Sequence, residues 1–144
     1  MWDWLAKLIT PKPAPTEYVI NGDRFRALLK EWGFTNVILW NGIYWYYNLS
    51  DWYDALSESR RNMPSFVAEK FDCDKFAIVT MARIIFNNRI NTCGLAVGDS
   101  PFGYHMWNAV LTPDGLYYFE PQTGEFWKVE GQTANYQAHL LIFA

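Results

Sequence analysis

Residues 71–88 read FDCDKFAIVTMARIIFNN, and residues 105–120 read HMWNAVLTPDGLYYFE. The first stretch predicts a helix from Cys73 to about Asn87. Asp72 stands where a capping side chain can accept from the free amides of the first turn. Lys75, Thr80, Arg83 and Asn87 form a narrow polar stripe on an otherwise apolar surface, so this helix is expected to be central and mostly buried. The second stretch predicts two strands, 104–111 and 116–120, joined over Pro113-Asp114-Gly115, residue types that favour a tight turn. A three-residue loop there pairs Thr112 with Leu116 and sets Thr123 opposite His105. A bulge would bring Glu120 to that place instead.

Outward from these stretches, Asp23 can cap a helix running to Trp32, with Gly33 at its C-terminal end. Residues 36–48 are rich in β-branched and aromatic side chains, and Asn41-Gly42 in their middle predicts a hairpin. Ser50 or Asp51 can start a short helix through Arg60. Further strands are expected at 93–98, 125–129 and 135–143. Helices come first and antiparallel strands later, the α+β pattern. Residues 1–16 read as an arm, with Trp2, Leu5 and Ile9 on one side of a short helical piece and a proline-rich spacer after it. Residues 17–144 read as a single domain.

The chain has 144 residues, of which 27 are aromatic (8 Trp, 9 Tyr, 10 Phe). That size buries roughly 69% of the unfolded surface, enough for a core without staples. A net charge of −3 offers no electrostatic reason for nucleic acid to bind. Two cysteines 20 residues apart do not make a disulfide framework and point to free thiols in a reducing compartment. The N-terminus lacks the pattern of a signal peptide, and no run approaches the roughly 18 apolar residues of a membrane span. A cytoplasmic or virion-associated location is expected, with oligomeric state left open.

Cys73, His105 and Glu120 form the strongest chemical constellation. The first turn of a helix favours an anion, so a thiolate at Cys73 is stabilised there. His105 begins one strand and Glu120 ends the next, which suits a nucleophile, a base and an orienting carboxylate. Gln122 is a second candidate for the orienting place. Cys93, beside Gly94, reads as core, and His139, mid-strand, as structural. Asp72 and Asp74 flank Cys73 and would raise its pKa unless they point away or a cation neutralises them. Oxygen-only ligands suit Ca²⁺. The aromatics crowd residues 40–53 and 107–119, so a cleft beside Cys73 is expected to be aromatic-walled, with Trp45, Trp107 and Gln122 touching substrate.

The runs FDCDKFA (71–77), HMWNAV (105–110) and FEPQTG (119–124) resemble the papain-like cysteine peptidase domain at the C-terminus of a mushroom agglutinin, and standalone phage-encoded relatives of that domain. The coarser pattern also resembles the transglutaminase-like branch. The likeness spans about residues 18–130. It implies a papain-like or transglutaminase-like α+β fold, with the Cys-bearing helix packed on an antiparallel sheet. It also implies a Cys73–His105–Glu120 triad hydrolysing an amide or ester in a peptide or protein substrate, and calcium held by Asp72 and Asp74. Phe66 and Val67 stand where such enzymes carry a glutamine oxyanion donor. That departure motivates an alternative: a catalytically silent papain-like binding module or phage virion-structural module. A third reading is a carbohydrate binder, because exposed Trp rings can stack on sugars.

Overall fold

The computed structural model describes residues 11–129 and 135–144. The expected helical piece at 1–9 lies outside the described residues. Residues 11–16 carry no regular structure and lie along the surface. They are tied there by an ion pair of Lys12 with Asp54 and by the Thr16 N–H donating to Asp51 (3.1 Å).

Strand β1 (Glu17–Asn21) leads directly into helix α1 (Gly22–Glu31). Asn21, one residue before the helix, accepts the Arg24 amide and is the true cap in place of Asp23. Strands β2 (Val37–Leu39) and β3 (Ile43–Tyr47) follow, then helix α2 (Leu49–Ser59), capped by Asn48 through the Asp51 amide. The hairpin expected over Asn41-Gly42 does not form. β3 pairs with β1, and β2 pairs in parallel with the last strand. The Asn41 N–H instead donates to the Tyr44 hydroxyl (2.9 Å), which turns the chain between two different sheets.

Helix α3 (Cys73–Asn88) precedes strands β4 (Cys93–Ser100), β5 (Gly103–Thr112), β6 (Gly115–Phe119), β7 (Phe126–Lys128) and β8 (Gln137–Phe143). The larger sheet has six strands in the order β2-β8-β4-β5-β6-β7, antiparallel except for β2 beside β8. Between Val97 and Gly98 the β4–β8 register shifts at a bulge. The backbone of Gln137 crosses so closely there that any side chain at 98 would collide with its carbonyl.

The core has two parts. One gathers Phe25, Tyr44, Trp107, Tyr118 and Phe143 beneath α1. The other gathers Tyr47, Trp52, Leu56, Ile84 and Val110 between α2, α3 and the sheet. α3 is less buried than its composition suggests. Phe76, Ala77, Thr80 and Ile84 face inward, whereas Ile78, Ile85 and Phe86 are exposed. Its polar stripe is also not its outer face. Thr80 is fully buried, and Arg83 donates from Nη1 to the carbonyls of Ser59 and Arg61 (2.7 Å each).

Candidate functional site

Strand β5 carries His105 inward, and the segment after β6 carries Glu120. The β5–β6 turn is one residue tighter than expected, pairing Thr112 with Gly115 rather than with Leu116. Continued past Phe119, that register sets Glu120 in line with Trp107, on the same face as His105 and one diagonal place from it. His105 Nε2 and Glu120 Oε2 lie 2.7 Å apart, with the side chains 5% and 1% exposed. An ionised carboxylate only accepts, so the ring N–H donates to it. Glu120 Oε1 accepts the Gln122 amide (3.2 Å), and the Tyr136 hydroxyl donates to Oε2 (3.4 Å). Burial first, then the charge of Glu120, push the Tyr136 phenol up to about 12. Three rings surround the imidazole: Phe102 at 5.9 Å, Trp107 stacked at 6.0 Å and Tyr136 at 6.4 Å.

Residues 120–125 form a closed turn. The Glu120 amide donates to the Glu125 carbonyl (2.9 Å), and the Gly124 amide to the Glu120 carbonyl (2.7 Å). Arg60, just past the end of α2, donates from Nε to the Pro121 carbonyl and from Nη2 to the Gln122 carbonyl. Gly124, at φ 84°, lies directly against that guanidinium. A side chain there would be strained and would displace the clamp.

The turn borders two surface cavities. One, of about 420 Å³, is walled by Phe102, Trp127 and Tyr136, with Thr123, Glu125 and Asn135 on its rim. The other, of about 480 Å³, is lined by Arg60, Phe66, Phe76 and Gln122 among others. Gln122 therefore lies beside the second cavity.

Cys73 opens α3 and is half-buried. Its thiol makes no hydrogen bond to His105 among the described residues, and the imidazole meets Glu120 through Nε2. Cys93 is buried in the second core, and burial pushes its thiol up. Trp107 has no exposed surface. It packs edge-on against Tyr118 and Tyr136 (5.4 and 5.0 Å), so the substrate contact expected of it is corrected to a core role. Trp45 lies 40% exposed on the two-stranded sheet, opposite Val19, and not on the sheet that bears His105.

The Asp72 backbone holds the capping place of α3, but its side chain makes no cap bond. It accepts the Glu69 amide (3.1 Å) and the Lys75 ammonium (2.9 Å). Lys75 Nζ also lies 3.0 Å from Asp74 Oδ1. A hydrogen bond with Asp74, then those of Lys75, hold the Asp72 carboxyl at about 2. The same two carboxylates raise the Lys75 ammonium. The ammonium faces one oxygen of each carboxylate, and among the described residues no group of three or more His, Cys, Asp or Glu could hold a metal. These residues do not fit the ion expected from the sequence.

The profile of the ricin-type beta-trefoil lectin C-terminal domain family matches residues 34–143. The chain belongs to that family. No curated protein matches it significantly. Two solved structures share the fold of this lectin C-terminal domain. One is a PSL1a–E64 complex, 23% identical with TM-score 0.69, covering 87% of this chain and 51% of its own. The other is Polyporus squamosus lectin bound to the human-type influenza-binding epitope Neu5Acα2-6Galβ1-4GlcNAc, 24% identical with TM-score 0.66, covering 87% and 49%. The chain thus spans about half the length of these solved relatives.

This finding corrects three expectations. The papain-like or transglutaminase-like α+β peptidase fold gives way to the architecture shared with these lectins: among the described residues, a mixed six-strand sheet, a two-strand sheet and three helices. The matching family is the C-terminal domain of ricin-type beta-trefoil lectins, and this overturns the resemblance to a cysteine peptidase. The cysteine hydrolase falls with it. No helix among the described residues is long and apolar enough to cross a membrane.

Phe102, Trp127 and Tyr136, which line the first cavity, are not among the residues expected from the sequence. Pro101-Phe102-Gly103 carries a readable signal: a large ring held between two turn residues at the β4–β5 corner, where it is 72% exposed.

Proposed function

We propose that this domain recognises carbohydrate in the cavity between Phe102, Trp127 and Tyr136. The observation that carries this reading is the composition of the cavity wall. A pyranose offers an apolar C–H face and a rim of hydroxyls. An aromatic wall suits the face, and a carboxylate, an amide and a hydroxyl at Glu125, Asn135 and Thr123 suit the rim. The volume falls within the range of small-ligand sites, about 300–1,000 Å³. Support comes from the lectin family, and from the epitope held by the Polyporus squamosus relative. The binding is non-catalytic, with a glycan in place of the peptide or protein substrate expected earlier.

On a glycan array the protein is expected to retain a defined subset of sugars. Phe102→Ala removes a ring that is 72% exposed, and so leaves the fold unchanged. It is expected to weaken the best ligand at least about tenfold, the equivalent of roughly 1.4 kcal/mol. Trp127→Ala should weaken it further. Silence across the array, or full binding by both variants, sinks the reading.

A second reading concerns Cys73 as a ligand-capturing thiol, without catalysis. It is favoured by the PSL1a relative, solved as a complex with E64. It is favoured also by the contrast between a half-buried Cys73 and a buried Cys93. Intact-mass analysis after incubation with E64 should show one adduct, absent from Cys73→Ala and kept by Cys93→Ala. An unmodified wild type counts against it.

A further inference from the structure

We propose that Lys75 is the built-in cation of the Asp72–Asp74 pair, doing by side chain what a divalent ion would otherwise do at the start of α3. The pair needs a positive charge. Two carboxylates two residues apart beside a helix start repel each other when both are ionised, unless a proton or a positive charge lies between them. Lys75 Nζ lies between them, 2.9 Å from Asp72 Oδ1 and 3.0 Å from Asp74 Oδ1. The lysine comes from the same turn of the same helix, so its charge is delivered when the helix forms and does not depend on ion concentration. The remaining oxygen of Asp72 accepts the Glu69 amide.

That bond fastens the turn made by Val67 and Phe71, whose amides each donate to the other's carbonyl (2.8 and 2.7 Å). Glu69, at φ 63°, lies in the left-handed region, a conformation that costs a non-glycine residue energy and so needs an external hold. Lys75 is thus a positioning residue. It fixes Asp72, Asp72 fixes the 67–71 turn, and the turn leads into Cys73. No other cation takes part in the ion pairs of Asp72 or Asp74 among the described residues.

The test compares thermal melts of wild type, Lys75→Met and Lys75→Arg at constant ionic strength, in EDTA and in millimolar calcium chloride. Wild type is expected to melt at the same temperature in both. Lys75→Met keeps the aliphatic stem but frees the carboxylates. It should melt about 1–3 °C lower in EDTA and recover in calcium. Lys75→Arg should behave as wild type. A wild type stabilised by calcium overturns the proposal, as does a Lys75→Met loss that calcium leaves unrepaired, or no loss at all. If Lys75→Met does not fold, the Lys75→Arg melts and the calcium response of wild type still decide.

Discussion

Glu120→Ala is expected to lower the unfolding free energy by about 3–5 kcal/mol: about 1–3 kcal/mol for a buried donor left unpaired and about 2 kcal/mol for the cavity the side chain leaves. For a chain of this size that corresponds to a fall in melting temperature of roughly 10–15 °C. The reason lies in what would be left behind. Glu120 is 1% exposed and takes part in hydrogen bonds with His105, Gln122 and Tyr136. Removing the carboxylate strands an imidazole that is 5% exposed and walled by three rings, where water cannot take the missing place. Differential scanning calorimetry reads the effect. A Glu120→Gln variant, which keeps an acceptor, should recover part of the loss. A Glu120→Ala protein melting within about 3 °C of wild type would mean that the pair contributes little to the fold.

The second large effect is expected at Trp52. Its indole is fully buried against Tyr47 (5.4 Å, edge-on), and its Nε1–H donates to the Leu111 carbonyl (2.7 Å). Trp52→Ala opens a cavity where α2 meets α3 and the sheet, and removes a donor from a strand carbonyl. The cavity alone costs about 3–5 kcal/mol, and the orphaned carbonyl about 1–3 kcal/mol more. Trp52→Phe fills most of the space and should show chiefly the second loss. Urea titrations followed by far-UV circular dichroism separate the two. Equal midpoints for Trp52→Ala and Trp52→Phe would refute the claim that volume dominates.

Local signals in the sequence were good guides to where elements lie and poor guides to how they pair. α3 begins at Cys73, and the strands at 93, 103 and 115 start within a residue or so of expectation, because caps, turn residues and periodicity are local properties. Asn21 and Asn48 outcompeted the neighbouring Asp23, Ser50 and Asp51 as caps, since each stands one residue before its helix with a side chain that reaches the amide three residues on. Asn41-Gly42 misled because a hairpin signal describes only the bend. Whether the two flanking runs pair depends on distant partners, here β1 for one and β8 for the other.

The site was legible in part. Cys73, His105 and Glu120 stood out because rare residue types fell at element ends. The one-residue difference in the β5–β6 turn puts Glu120 on the same face as His105, where the two side chains meet diagonally. The partner of Asp72 and Asp74 was one turn away in the same helix, yet a lysine among polar residues reads as solvated surface until its reach is known. Of the rings expected to wall a cleft, several are core. Trp107 and Tyr118 lie on the inner face of the sheet, whereas Phe102 lies at a corner, and which face of a strand is covered follows from packing rather than from the count of rings.

The place of β8 has a consequence for how the chain reaches its native state. The strand furthest along the sequence is inserted between β2 and β4, and its Phe143 fills the core beneath α1. Leu39 must find Phe143 across about a hundred residues. Pairing over such a separation is slow, because the entropy of closing the loop is lost before any contact rewards it. During synthesis the earlier elements can collapse locally, but the interior stays open until β8 emerges. Until then the edges of β2 and β4 are unpaired, available to each other's wrong partners or to another nascent chain. The waiting time before β8 arrives, rather than any weakness of the finished sheet, is the interval in which this domain is most exposed to misassembly.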